Sequence, residues 1–377
     1  KPVIKVLLQS DTQNLEEVVV TAMGITRSEK TLGYSATTVK ADEIISSRTT
    51  NVADALSGKV AGLSVSSTSS DPGSVSNIVI RGFSSINGSN QPLYVVDGVP
   101  LQNNMVSGDG KNVATGGISS VASEDIASMT VLKGAAATAL YGSRAANGVI
   151  VITTKSGKKG DGRNFSISYS GNVQARMVSF LPEMQNSFGQ GWNGAQTYIE
   201  NGSWGPRLDG SMQVYGPIWN NQQLIHEYSA KENNVKDFFD PGWSQNHTIS
   251  LSGVSSDTKM DYYLSYSFTK DDGIMPKDYD TYERNTVAFR GGYEATDWLK
   301  VSSSLNFARS QTDAVGSFQG TSVIDGVFEL PRDISIVDRY QFTLQYAGSL
   351  LYSLRHHQPL LVIGKQLQPY GFEANLR

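Results

Sequence analysis

Few residues of this chain have the types and spacing that catalysis or metal binding requires. Residues 189–194 read GQGWNG and match the dinucleotide pattern G-x-G-x-x-G. No strand-turn-helix unit surrounds them, and Trp192 would crowd a pyrophosphate, so we predict a loop without nucleotide binding. The adjacent His356 and His357 have no nearby Asp or Glu to complete a metal site. With no cysteine and no Walker A, H-E-x-x-H or G-x-S-x-G motif, we predict no enzyme, no metal and no cofactor.

Composition and charge narrow the function classes further. The 377 residues include 31 Lys and Arg against 35 Asp and Glu, a net charge of -4. This near balance argues against a nucleic-acid partner, because such proteins usually present a basic face. With 37 Gly, 17 Tyr and 13 Phe, the composition favours β-structure. No stretch approaches 18 apolar residues, so no transmembrane helix is expected.

The stretch Ser128–Lys155 organises the first half of the chain. It predicts a strand, a turn, a short helix over Ala135–Tyr141, a turn and a buried strand over Gly148–Thr154. Upstream, a helix is predicted over Asn51–Gly58, capped by Thr50. Further strands are predicted at Val60–Ser66, Ser76–Ile80 and Leu93–Val96. Together these elements indicate a compact mixed α/β domain that ends at the Gly-rich, basic link of residues 156–164.

After residue 164 the sequence pattern changes to long alternating strands. In Phe165–Met177 the odd positions are mostly apolar and the even positions are polar, which is strict period two. Similar strands are predicted at His247–Val254, Met260–Thr269, Thr286–Tyr293 and Leu299–Ala308. The connections alternate between long and short, as in outer-membrane barrels with long outer loops and short periplasmic turns. A soluble antiparallel sandwich also has alternating strands and remains the alternative.

Four sequence blocks together resemble a known family. LSGKVAGLSV, IVIRGFSSI, PLYVVDGVP and the Ser128–Lys155 stretch occur in the order and spacing of the plug domain of TonB-dependent outer-membrane transporters, and are most similar to the SusC/RagA type. The resemblance implies an α+β plug domain followed by antiparallel β-strands of an incomplete transmembrane β-barrel. The expected divisions are residues 1–14 (last strand of a carboxypeptidase-regulatory-like domain), 15–30 (TonB box and linker), 31–157 (plug), 158–338 (about five barrel strands with outer loops) and 339–377 (an atypical tail).

The resemblance also implies a function and partners. It predicts energy-coupled import of glycans or peptides across the outer membrane of a Gram-negative, Bacteroidota-type bacterium, in contact with outer-membrane lipid. TonB would provide the energy, and a SusD-like surface lipoprotein would deliver the substrate. The segment LEEVVVT resembles the TonB box, which TonB would bind by strand addition; an ordinary edge strand is the alternative. Its residues are Leu15, Glu16, Glu17, Val18, Val19, Val20 and Thr21.

Certain plug and loop residues take roles under this resemblance. Arg81 and Arg144 lie inside apolar plug blocks and would lock the plug by pairing with barrel glutamates, unless they are simply solvated. Plug turns are predicted at four glycines: Gly82, Gly98, Gly134 and Gly142. Aromatic residues of the first outer loop would stack on sugars or pack within the loop. They are Phe180, Phe188, Trp192, Tyr198, Trp204, Tyr215 and Trp219.

The chain is expected to be incomplete and unable to transport alone. Five strands cannot close a barrel, because single-chain barrels have at least about 8 strands and a barrel that holds a plug has roughly 22. Alternation fails after Asp338, where we hypothesise a frameshift in the coding sequence. A soluble or surface binding module, with an α/β domain and a β-sandwich, is the alternative function.

Overall fold

A computed structural model of the chain describes residues 18–20, 26–28, 36–46, 51–67, 71–74, 76–86, 89–101, 118, 121–157, 165–197, 202–219, 221–313 and 323–336. The predicted divisions at 1–14 and 339–377 lie outside these residues. The chain forms two compact units. Unit 1 comprises residues 1–66, 76–103 and 121–156, and unit 2 comprises residues 67–75, 104–120 and 157–377.

A mixed five-stranded sheet forms the centre of unit 1. The sheet strands are β3 (Ala36–Lys40), β6 (Leu93–Val96), β7 (Val99–Pro100), β8 (Ile126–Leu132) and β9 (Val149–Thr154), in the spatial order β3-β8-β9-β6-β7. Strands β6 and β9 are parallel, and the other pairs are antiparallel. The remaining elements are α1 (Ala41–Ser46), α2 (Ala135–Tyr141) and the two-stranded sheets β1–β2 (Val18–Val20 and Thr26–Ser28) and β4–β5 (Leu63–Ser67 and Ser76–Ile80).

Strand β9 is the central strand of this sheet, and it is buried on both faces. Val149 and Val151 pack in a cluster with Leu93, Leu132 and Ala137, the last of these on α2. The opposite face carries Ile150 and Ile152, which are also fully buried. A near-continuous β-branched run is what such a strand requires. The predicted strand-helix-strand order of Ser128–Lys155 is therefore confirmed.

The predicted helix over Asn51–Gly58 is wrong. This segment forms only a 3₁₀ turn, Asp54–Leu56, between irregular turns. The side-chain Oδ1 of Asn51 accepts a hydrogen bond from the backbone N–H of Ala53 at 3.0 Å, which favours a local turn over a helix. The predicted cap Thr50 lies outside the described residues. The strand predicted from Val60 begins at Leu63.

Unit 2 contains the predicted antiparallel sheet. Its strands are β10 (Phe165–Arg176), β13 (Gly242–Val254), β14 (Met260–Asp272), β15 (Thr281–Thr296) and β16 (Leu299–Asp313), which pair in chain order. Most strands are longer than predicted, by up to eight residues in β15. The extra residues are largely polar, so the apolar alternation that marks a strand in the sequence ends before the hydrogen-bonded ladder does.

The connections of unit 2 have a structure of their own. The predicted loop between β10 and β13 contains a hairpin, β11 (Met212–Trp219) and β12 (Gln222–Glu227), which the sequence analysis missed. Helix α3 (Val323–Glu329) follows β16. Residues from this helix, the β12–β13 and β14–β15 connections and the segment after α3 form one buried apolar cluster: Val235, Phe238, Met275, Val323, Val327, Leu330, Ile334 and Ile336. Within the part of the chain that the structure describes, no helix has the length and apolar character to cross a membrane.

Candidate functional site

The long sheet of unit 2 places apolar and polar residues on opposite faces. Pairing aligns one row across all five strands: Tyr169, Ile249, Tyr266, Val287 and Phe307. The next row, one residue along each strand, is Ser170, Thr248, Ser267, Thr286 and Ala308. Residues directly opposite one another point to the same side of a sheet. The sheet therefore has an aromatic and aliphatic face and a hydroxyl-rich face.

In the three central strands, β13 to β15, exposure of these two faces is the reverse of that in a water-soluble protein. On the edge strands β10 and β16, most residues of both faces are exposed. Tyr169 and Phe307 are 68% and 60% exposed, and Ile249 is 51% exposed. In contrast, Thr248, Ser267 and Thr286 are all at most 3% exposed. Water-soluble proteins bury apolar side chains and expose polar ones. An exposed apolar band with a buried polar face is the arrangement of a strand that meets lipid on one side.

Hydrogen bonds connect the buried polar face across the strands. The hydroxyl groups of Thr248 and Ser267 lie 2.7 Å apart. The guanidinium of Arg290 donates to Asn306 Oδ1 at 3.2 Å and lies 5.8 Å from the ring centroid of Tyr263. At one end of the sheet, Arg176 pairs with the buried Asp271 at 3.2 Å. Such contacts satisfy polar groups that burial would otherwise destabilise.

Arg332 and Asp333, which follow α3, join distant parts of the connections of unit 2. The Nε of Arg332 donates to the backbone oxygen of Gln185 at 2.9 Å, and its Nη2 donates to Asn186 Oδ1 at 2.7 Å. Asp333, 1% exposed, accepts a hydrogen bond from the Gln190 backbone N–H at 2.7 Å. Its other oxygen lies 3.2 Å from His226 Nε2. Sequence reasoning missed both residues, since nothing in FELPRD indicates which segments they contact.

Burial shifts the pKa values of two groups in these connections. Burial lowers the pKa of the Arg332 guanidinium, and the carboxylate of Glu232 opposes this shift. Burial raises the pKa of Tyr228 to about 12, and Asp333 adds to the increase. The Tyr228 hydroxyl donates to the backbone oxygen of Pro206. Both pKa shifts result mainly from burial of these side chains within the packed connections.

The GQGWNG segment lies in this loop, as predicted. Its glycines allow close backbone packing: a Cβ at Gly191 would lie 2.1 Å from the backbone oxygen of Ala195, and a Cβ at Gly189 would lie 2.5 Å from the Tyr228 hydroxyl. Gln190 is fully buried. The segment therefore serves loop packing. In the described residues, no group of three or more His, Asp or Glu side chains is placed to hold a metal.

The predicted TonB-binding segment is described in part. Val18, Val19 and Val20 form β1, which pairs antiparallel with β2 through Val18–Ser28, Val19–Arg27 and Val20–Thr26. Leu15, Glu16, Glu17 and Thr21 lie outside the described residues. The β1–β2 sheet has two strands, so among the described residues nothing pairs with the second edge of β1.

The predicted locking arginines lie on the surface of unit 1. Arg81 has a φ of 59° and follows β5, while Arg144 lies in a 3₁₀ turn after α2. Both are exposed, and neither forms an ion pair with another described residue. All four predicted turn glycines have positive φ: Gly82 (91°), Gly98 (86°), Gly134 (73°) and Gly142 (71°). The last two border α2 at its start and end.

The loop aromatics are divided between exposed residues and residues whose side chains are not described. Phe180 is 87% exposed and Trp204 is 70% exposed, and Phe188 and Trp192 are also exposed. For these four, both interpretations, stacking on sugars and packing within the loop, stay predictions. Tyr198 lies outside the described residues. Tyr215 and Trp219 belong to β11, but their side chains are not described.

Comparison with known families gives a match that covers most of unit 1. The family described as TonB-dependent Receptor Plug Domain matches residues 28–149. This span includes the sheet strands from β3 to β8, together with α2 and the first residue of β9. The plug division predicted from the sequence, residues 31–157, overlaps this span, and its exact bounds stay a prediction.

Known relatives extend the similarity into unit 2. The chain is 37% identical to the TonB-dependent receptor SusC of Bacteroides thetaiotaomicron over 72% of this chain and 24% of that protein. It is 31% identical to the TonB-dependent receptor P3 of Formosa agariphila over 88% of this chain and 29% of that protein. The chain thus spans 24% and 29% of the length of these two relatives.

Solved structures show the same fold. The RagAB peptide importer in its open-open state aligns with a TM-score of 0.61 and 24% identity, over 81% of this chain and 34% of that one. Its closed-closed state aligns with a TM-score of 0.58 over the same shares. The combination of plug-type sheet and long antiparallel strands therefore has a direct counterpart.

Proposed function

Because the chain belongs to the SusC/RagA-type TonB-dependent receptors, we propose that it serves energy-coupled import of glycans or peptides across the outer membrane. The observation that carries this proposal is the reversed exposure of the central strands β13 to β15, where apolar residues such as Ile249 are exposed and hydroxyl residues such as Thr248 are buried. Lipid would cover the apolar face, and the polar face would line the import route. The chain spans about a quarter of SusC, so import is proposed for the assembled transporter.

Energy enters the proposed transporter through strand addition at the segment Leu15–Thr21. TonB would add a strand along the second edge of β1, where backbone N–H and C=O groups provide affinity and alternating valines set the register. Pulling on this segment would rearrange the plug and open a route. The proton gradient of the inner membrane provides the work, and no bond of the substrate is broken.

Two further partners complete the proposed cycle. A SusD-like surface lipoprotein would close the outer side and deliver the substrate. Exposed Trp192 and Trp204 offer aromatic faces that suit sugar rings, and the relation to a peptide importer supports peptides. Arg81 and Arg144 would hold the plug between cycles, because a guanidinium binds a carboxylate through two parallel hydrogen bonds.

The coupling step is tested by a proline in β1. Val19→Pro removes one backbone donor and fixes φ, while Val19→Ala keeps the backbone intact. We expect Val19→Pro to weaken binding of the detergent-solubilised chain to the periplasmic domain of TonB by about tenfold or more, since each backbone hydrogen bond contributes about 1 kcal/mol and the strand is also distorted. Biolayer interferometry measures this, and equal binding by both variants would contradict the proposal.

The membrane assignment has its own test. An exposed apolar sheet face should make the purified chain dependent on detergent, and size-exclusion chromatography with light scattering reports this. A chain that stays monodisperse without detergent would instead support a soluble binding module.

A further inference from the structure

The connections of unit 2 border a cavity to which the proposed import cycle has so far assigned no role. Its volume is about 460 Å³, within the range of roughly 300–1,000 Å³ that is typical of small-molecule sites. One wall comes from residues 181–186, which follow β10, and the other comes from residues 232–236, which precede β13. Arg332 contributes to the lining between these walls.

Arg332 is buried, and other described residues accept hydrogen bonds from only some of its guanidinium donors. It is 2% exposed. Its Nε and Nη2 donate to Gln185 and Asn186 on one wall, and Nη2 also reaches the backbone oxygen of Glu232 on the other wall at 3.5 Å. Among the described residues, no acceptor is found for Nη1. A guanidinium has five donors in a fixed planar fork, so this lining residue retains donors for a ligand.

The remaining lining combines apolar surface with exposed charge. Leu181, Pro182 and Met184 provide apolar contacts along one wall. Lys236, Glu183 and Glu232 also line the cavity, and all three are exposed. Solvent screens exposed charges strongly, whereas the field of a buried guanidinium is screened much less. Arg332 is therefore the charge of the lining that an anionic group would meet with least solvent screening, and Glu232 is the carboxylate that competes for it.

We propose that this cavity binds a carboxylate of the imported solute, with Arg332 Nη1 as the direct donor and Lys236 as a second cation near the opening. A planar carboxylate matches the guanidinium fork, and charge-assisted hydrogen bonds of this kind are about twice as strong as neutral ones. The carboxylate is either the free C-terminus of an oligopeptide or a uronate of an acidic oligosaccharide. The inference rests on the proposed import function, since it assigns a substrate class to the transporter.

Binding measurements distinguish the two sources. Calorimetry on the detergent-solubilised chain would compare trialanine with trialanine amide, and tri-galacturonate with its methyl ester. We expect at least one acid to bind about tenfold or more tightly than its neutral partner, because the neutral form cannot accept charge-assisted hydrogen bonds. The acid that binds identifies the source. No transport is involved, so this test can fail while the TonB-binding test succeeds, and the converse also holds.

Variants of the cationic residues locate the site. Arg332→Lys keeps the charge but loses the fork, so binding of the acid should weaken about tenfold. Because Arg332 also supports the loop, Lys236→Met provides an exposed alternative that should leave the fold intact and weaken binding a few-fold. Arg207→Met removes an exposed loop arginine outside the cavity and is the matched control.

One acidic variant tests the sign of the electrostatic argument. Glu183→Gln removes a negative charge from the cavity and should strengthen binding of the acid by about 1.5- to 5-fold, the size expected for exposed charges. Equal affinities for acid and neutral probes, or no effect of Lys236→Met and Glu183→Gln on acid binding, would overturn the proposal.

Discussion

Gly148, directly before β9, is the position where one added methyl group should weaken the plug sheet most clearly. Its φ is 97°, in the left-handed region that side chains disfavour. A Cβ at this position would lie 2.8 Å from Ile80 Cδ1 and 3.0 Å from the backbone oxygen of Leu132. The backbone oxygen of Gly148 also accepts a hydrogen bond from the Leu93 N–H at 3.0 Å. The backbone therefore cannot move away from the clash without weakening the β6–β9 pairing.

The expected cost of Gly148→Ala has two parts. The left-handed backbone costs about 1–2 kcal/mol for a residue with a side chain. Overpacking against Ile80 and the Leu132 carbonyl adds about 1–3 kcal/mol. The sum, roughly 2–5 kcal/mol, corresponds to faster amide exchange by about 30-fold to several thousand-fold, since 1.36 kcal/mol is tenfold at 25 °C.

Hydrogen exchange with mass spectrometry measures this cost in the peptide that covers β9. Gly142→Ala is the matched control, because Gly142 has a φ of 71° but no atom within 4 Å of an added Cβ. Gly142 has a ψ of -162°, a conformation almost restricted to glycine, so the control should show only a backbone cost of about 1–3 kcal/mol, confined to the region around α2. If Gly148→Ala exchanged no faster in β9 than Gly142→Ala, the steric argument would be refuted.

Two further predictions concern the start of β15. Burial raises the pKa of Asp280 to about 6, and the nearby Asp71 carboxylate adds to the increase. Because this folded-state pKa exceeds the unfolded value of about 3.9, the protonated Asp280 stabilises the fold below pH 4. This stabilisation is lost as the pH rises through 6. Thermal unfolding followed by tryptophan fluorescence should show a loss of up to about 3 kcal/mol across this range, and Asp280→Asn should remove that slope. Gly73→Ala should destabilise unit 2 by about 2–5 kcal/mol, because its φ is positive and an added Cβ would lie 2.2 Å from the Tyr282 ring. In a double-mutant cycle, Tyr282→Ala should reduce this cost to the backbone part, and an unchanged cost would exclude the contact as its cause.

The elements that could be predicted from the sequence are those with strong periodicity. The five long strands were found because Phe165–Arg176 and its counterparts alternate strictly, and the Ser128–Lys155 block because apolar β-branched runs flank an Ala-rich helix. The segment Asn51–Gly58 was mispredicted, since a 3₁₀ turn and a short helix share the same apolar spacing. The hairpin β11–β12 was missed because its strands lie inside a long loop of mixed polarity.

Alternation alone could not identify which face of the long sheet is buried. A sandwich and a membrane sheet share the same period-two pattern, and only exposure distinguishes them. The structure provides that difference at Thr248 and Ile249, adjacent residues that are 3% and 51% exposed. In the same way, no local pattern could connect Arg332 and Asp333 with partners about 100 to 150 residues away.

Order in the long connections of unit 2 bears directly on the proposed carboxylate site. A connection as long as residues 177–241 is expensive to fix, because each ordered residue costs about 1–2 kcal/mol of conformational entropy. Two features oppose this cost: the apolar cluster around Val327 and Leu330, and the buried polar contacts of Arg332 and Asp333. The walls of the cavity are therefore held before a ligand arrives, and a ligand does not have to order them. Such preorganisation increases affinity by reducing the cost of binding. A variant that loosens the cluster, rather than the cavity lining, should thus weaken carboxylate binding without changing the preference for acid over neutral probes.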